Sequence, residues 1–182
     1  MEGEIMIVEK HVQKNKYMAI SINELKVNNI VLSPKGDGTK KRCIIKALHG
    51  NHVSVDYLNM QNGKMEQEDI DSINLEPLQL MDSTLYAMGF RKADRSECSY
   101  PADKYYILKR SGNSDVAAIY NGQWHLLIPD DNGSYFDKQE LYLHTLQNYL
   151  SSGKEVADEV SYEKFVELVN PYCISPFEPK EE

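Results

Sequence analysis

The sequence predicts an α+β protein in which a small SH3-like β-barrel is followed by an antiparallel hairpin sheet packed by C-terminal helices. Three observations lead there. Residues 27–78 carry short runs of apolar and β-branched residues punctuated by turn formers. Asn121-Gly122 stands between two such runs, the strongest short-range hairpin signal. After residue 137 the apolar spacing changes to a helical period.

Taken in order, residues 1–20 read as an N-terminal extension and residues 21–79 as the barrel. Its first strand spans 27–33, ahead of the turn-rich Pro34-Lys35-Gly36-Asp37-Gly38. A second covers 42–48. In the third, 52–57, Val53, Val55 and Tyr57 fall on one face. Asn62-Gly63 favours a tight turn, and an extended piece over 70–78 ends the unit. Four or five short strands within about fifty residues suit a small, strongly bent barrel.

Residues 80–170 read as an α+β unit and 171–182 as a mobile tail rich in proline. Asp82 or Ser83 is placed to cap a short helix that Gly89 ends, and Tyr105–Lys109 reads as a strand. A two-residue loop at Asn121-Gly122 pairs Tyr120 with Gln123 and Ile119 with Trp124. That register puts Ala117, Ile119, Trp124, Leu126 and Ile128 on the buried face and His125 opposite Ala118 on the other. Asp137 and Glu140 have the spacing of a capping box for a helix over 138–150, closed by Gly153. Tyr142, Leu146, Tyr149 and Leu150 form its apolar stripe. Ser161 caps a last helix from Tyr162 to Val169.

Three separated segments carry a family resemblance. They are Ile22-Asn23-Glu24-Leu25 with Asn29, the join Leu75-Glu76-Pro77-Leu78 to Leu85 and Gly89-Phe90, and the helix His144-Thr145-Leu146-Gln147-Asn148. Together they resemble a group of uncharacterised small proteins of gut anaerobic bacteria, their phages and mobile elements. The resemblance implies a phage or mobile-element setting and no particular activity.

Charge and cysteine usage narrow the partners. A net charge of −8 repels phosphate backbones at long range, so a protein partner is expected first. Nucleic acid would need a local basic patch. Lys35, Lys40, Lys41 and Arg42 concentrate positive charge in one loop and are the nucleic-acid candidates, although no aromatic platform alternates with them. Cys43, Cys98 and Cys173 are widely spaced and form no Cys-x-x-Cys pair, which fits a reducing cytoplasm, or a virion, rather than a disulfide framework. The N-terminus shows no signal-peptide pattern, and no stretch approaches the ~20 apolar residues of a membrane helix. No cofactor motif is present, and the oligomeric state is left open.

The candidate partner-binding residues are His144, Gln147, Asn148, His125, Tyr105 and Tyr106. His144, Gln147 and Asn148 share one helix surface at spacings i, i+3 and i+4, expected to face away from the apolar stripe. The plainer reading is that Gln147 or Asn148 ties down a neighbouring loop. Tyr105 and Tyr106 belong to a tyrosine-rich C-terminal half, and tyrosine is enriched at interfaces. His125 and His144, with Asp130 or Asp131, would make a hydrolytic or metal site only if the fold brings them together. His49 and His52 flank a turn with Cys43 as the one nearby extra ligand, too few for a metal set. No catalytic or metal residue is assigned.

Overall fold

The structure, a computed structural model, describes residues 19–97, 100–111, 114–130, 133–136, 139–152, 154 and 157–169, by backbone alone at 128–130, 133–136, 162 and 169. The expected N-terminal extension and tail, and Asp137, Asp131 and Gly153, therefore lie largely or wholly outside the described residues.

Two antiparallel meanders make up the chain. The first runs β1 (Ile30–Pro34), β2 (Lys40–His49), β3 (His52–Asn59) and β4 (Lys64–Asp71). Its order is linear, β1-β2-β3-β4, and β4 does not return to β1, so the expected barrel is corrected to an open sheet. The reason lies in β4. Its sequence Lys-Met-Glu-Gln-Glu-Asp-Ile-Asp buries only Ile70, so it brings almost no inward apolar side chains with which to fill a barrel. Instead it forms a charged edge, a device that discourages pairing with another chain.

One face of this sheet is dry. Val31, Cys43, Ile45, Val53, Val55 and Ile70 pack there with Ile20, Leu25 and Leu75. The strand expected from residue 27 starts at Ile30, because Asn28 sits at φ 73°, a left-handed conformation that asparagine tolerates better than most residues. β1 presents its outer edge to other parts of the chain. Leu32 and Glu76 exchange both backbone hydrogen bonds, each 2.9 Å, and the Ile30 amide donates to a side chain of a distant helix.

The second meander has five strands: β5 (Arg91–Lys92), β6 (Lys104–Leu108), β7 (Val116–Tyr120), β8 (Trp124–Asp130) and β9 (Gly133–Phe136). The β7–β8 hairpin forms where Asn121-Gly122 predicts it, with a different register. Tyr120 pairs with Trp124 and Ile119 with His125 across the three-residue loop 121–123, whose Gly122 has φ 79°. A slip of one residue exchanges the faces of β7. Ala118 and Tyr120 thus join Trp124 and Leu126, whereas Ala117, Ile119 and Leu127 line the opposite face with Tyr105.

Three short helices, α1 (Asp82–Ala87), α2 (Leu143–Leu150) and α3 (Tyr162–Val169), complete the fold. In α1, Gly89 at φ 89° lets the Gly89 amide reach Tyr86 and the Phe90 amide reach Leu85, ending the helix as expected. In α3 the Ser161 hydroxyl accepts from the Lys164 amide at 3.2 Å, the expected cap. α2 is much shorter than the helix read over 138–150. Residues 140–142 stay extended, since the Leu141 amide donates to Trp124, the Leu143 amide donates to Leu78, and Tyr142 bridges Gln79. These tertiary bonds replace the first helical turn. Thr145 then caps the helix, its hydroxyl accepting from the Tyr142 amide at 3.0 Å.

The core crosses the expected junction at 79/80. Ile30 and Ile44 of the first sheet share one cluster with Leu78, Leu85, Phe90, Tyr106, Trp124, Leu143, Leu146 and Phe165. Among the described residues no helix is long and apolar enough to cross a membrane.

Candidate functional site

α2 is the element that joins the two sheets, and its polar side chains decide how. Gln147 is buried; its carbonyl oxygen accepts from the Ile30 amide and its amide nitrogen donates to the Asn28 carbonyl, both at 2.9 Å. Asn148 accepts from the Asn29 side chain at 2.9 Å and donates to the Glu24 carbonyl at 2.6 Å. Beyond the helix, the Ala157 amide donates to Val27 and Asn28 donates back to Ala157. Residues 24–30 are thus laced to 147–157.

The exposed polar face expected for His144, Gln147 and Asn148 is therefore corrected. The face is polar, but it docks on the entry to β1, whose backbone groups would otherwise be buried without partners.

His144 differs from its two neighbours. Its side chain is 3% exposed, and among the described residues neither Nδ1 nor Nε2 has a hydrogen-bond partner. Burial holds its pKa down at about 4, so the ring is neutral near pH 7. Tyr142 stacks on it, with ring centroids 6.2 Å apart and an interplanar angle of 16°. The nearest opposite charge is Glu24, whose carboxylate lies 4.0 Å from Nε2, beyond hydrogen-bond range.

His144 lines a cleft of about 440 Å³ with Ala19, Ile20, Glu24, Pro77, Gln139, Glu140, Tyr142 and Thr145. Local sequence explains the arrangement. The extended 140–142 segment turns the Tyr142 ring and the Glu140 carboxylate to the same wall, and the Tyr142 hydroxyl donates to Glu140 at 2.6 Å. Burial and that carboxylate raise the Tyr142 pKa to about 12, so the hydroxyl keeps its proton. The site offers two carboxylates, a neutral imidazole and an apolar wall.

The remaining candidates fall elsewhere. His125 is half-buried on the face of β8 away from Trp124, where Nδ1 lies 3.2 Å from the Gln139 carbonyl. It is not among the residues lining the His144 cleft. Asp131 and the Asp130 side chain lie outside the described residues.

Tyr106 is corrected from a surface candidate to a core residue: it is 1% exposed and packs edge-on against Tyr86 and Trp124, at 5.4 and 5.7 Å between centroids. Burial is also the main cause of its raised pKa. Tyr105, its neighbour on the strand, points to the opposite face, half-buried beside a cleft of about 390 Å³ near Lys92 and Asp103.

The basic loop is largely neutralised within the protein. Lys40 pairs with Glu76, and Lys41 pairs with Glu68 while its ammonium lies 3.8 Å from the centre of the Tyr57 ring. Arg42 is half-buried opposite Leu32; its Nη1 is buried without a partner among the described residues, and burial lowers its pKa. Lys35 remains exposed beside the turn that Asp37 and Thr39 close. His49 and His52 pair across their exposed turn, whereas Cys43 points into the core with its thiol pushed up to about 12, and no described group of His, Cys, Asp and Glu could hold a metal ion.

No family model matches this chain, and no curated protein or solved structure matches it. Sequence reasoning singled out His144 but missed Glu24, Glu140 and Tyr142 as its companions. The available signal was the run Glu140-Leu-Tyr-Leu-His144, whose alternation puts three functional side chains on one wall only if the helix starts no earlier than Leu143.

Proposed function

We propose that this chain is a non-enzymatic protein-interaction module and that its partner engages the His144 cleft. One observation carries the reading. A buried imidazole with both nitrogens unpartnered costs stability, since each unmet buried polar atom forfeits roughly 1–3 kcal/mol. A group retained at that cost beside a cleft with two carboxylates fits recognition better than packing. By its three motif segments the module belongs in a phage or mobile element, with a cytoplasmic or virion-associated setting.

Comparative capture tests the reading. Ala19 is exposed and lines the cleft, so Ala19→Trp obstructs it without touching the core. A partner held by the unaltered protein should be lost with Ala19→Trp and retained with Met60→Ala, a change on an exposed turn outside the cleft lining. Identical retention by both variants would remove the cleft from the interface.

The nucleic-acid reading finds less support, because Lys40 and Lys41 already have carboxylate partners. A phosphate would have to displace Glu76 and Glu68 in a chain of net charge −8.

A further inference from the structure

We propose that the His144 cleft takes the side-chain ammonium of a lysine presented by the partner protein. The inference rests on the interaction reading above and specifies the chemistry of what enters.

Charge is the first argument. Glu24 and Glu140 both line the cleft, and the Glu24 carboxylate lies 4.0 Å from the His144 ring. The Tyr142 hydroxyl occupies one oxygen of Glu140 and leaves the second available. The whole chain carries −8, so a cationic group is drawn towards it at long range.

Hydrogen-bonding capacity is the second argument, and it is independent of the acidic residues. His144 is buried, lines the cleft and has no partner for either ring nitrogen among the described residues. A neutral imidazole offers one acceptor lone pair and does not repel a cation. Both ring nitrogens are closed to solvent in the unbound protein, so the ammonium reaches Nε2 as the exposed Glu24 side chain, 4.0 Å away, turns towards it; Glu24, Glu140 and His144 then give three separate acceptors for its three rotatable donors. A guanidinium would instead seek one carboxylate in a bidentate fork. The walls complete the match: Ile20, Pro77 and the Tyr142 ring suit the four-carbon stem, which lysine buries while its head stays polar.

The test uses the full chain and four probes: an N-acetylated, C-amidated Ala-Lys-Ala tripeptide, its norleucine and glutamate counterparts, and cadaverine as a free amine. The ring-proton resonances of His144 are followed by NMR. The lysine peptide should shift them saturably, with a Kd of about a millimolar, and the norleucine and glutamate peptides should not. Glu140→Gln should weaken that binding about tenfold, and Glu24→Gln gives a second, exposed variant if the first perturbs the fold. An equal shift by norleucine or by glutamate peptide overturns the lysine assignment while leaving an occupied cleft, and hence the interaction reading, in place. Tighter binding of cadaverine than of the lysine peptide assigns the site to a free diamine and overturns the partner-side-chain source. No shift with any probe overturns the inference; the interaction reading then stands or falls on the Ala19→Trp comparison.

Discussion

Replacing Gln147 by leucine tests how the two sheets are held together. The substitution keeps the side chain's approximate volume and removes both hydrogen bonds to the entry of β1. The Ile30 amide is fully buried and would lose its acceptor, which costs roughly 1–3 kcal/mol. The Asn28 carbonyl is half-buried and recovers part of its loss from water, adding about 1 kcal/mol. The expected destabilisation is therefore about 3 kcal/mol, or roughly 6–12 °C in Tm for a chain of this size. Urea unfolding followed by the fluorescence of Trp124, the one tryptophan in the sequence, measures it. Asn148→Ala, whose bonds lie nearer to water, should cost only about 1 kcal/mol. A loss below about 0.5 kcal/mol for Gln147→Leu, the range of an inert surface change, would refute the clamp.

Three further outcomes follow from buried polar groups. His144 titrates near 4 when folded against 6.5 for an ordinary histidine, so the unfolded chain binds the extra proton between those values. Its contribution is complete above about pH 6.5 and falls by up to about 3 kcal/mol as the pH drops towards 4; His144→Leu should flatten that acid limb in urea unfolding at several pH values, and an unchanged limb would contradict the burial. Arg42→Met removes a guanidinium with a buried, unpartnered Nη1 and should raise stability by about 1 kcal/mol, whereas a loss of that size would reveal a partner for it. Cys43, fully buried with its thiol pushed up to about 12, should resist alkylation in the native protein and react in urea, as read by peptide mass spectrometry; rapid native labelling would place it outside the core.

The legible parts of this fold are those governed by local chemistry. Asn121-Gly122 marks a hairpin, Gly89 ends α1, Ser161 caps α3, and the alternation of Val53 and Val55 places them on one buried face, because each signal is written within a few residues. The illegible parts are decided by distant partners. Five of the eight residues of β4 are charged, and it pairs along the edge that β3 presents. The helical turn expected at 140–142 lost to bonds from 141 and 143 onto Trp124 and Leu78, and the barrel failed because β4 buries only Ile70 on its inner face.

The candidate site divides in the same way. Helical spacing groups His144, Gln147 and Asn148 correctly, but whether that surface meets water or the entry to β1 depends on residues more than a hundred positions away. Glu24 could be joined to His144 only through three-dimensional structure.

Amide hydrogen exchange at Ile30 tests the central claim most directly, because that group on the outer edge of β1 is satisfied by Gln147 of α2. The account predicts that Ile30 is as strongly protected as the amides inside the β1–β2 ladder and loses that protection in Gln147→Leu while the Ile45 amide, bonded to Asn29, remains slow. Rapid exchange of Ile30 in the unaltered protein, or equal protection in both proteins, would contradict it.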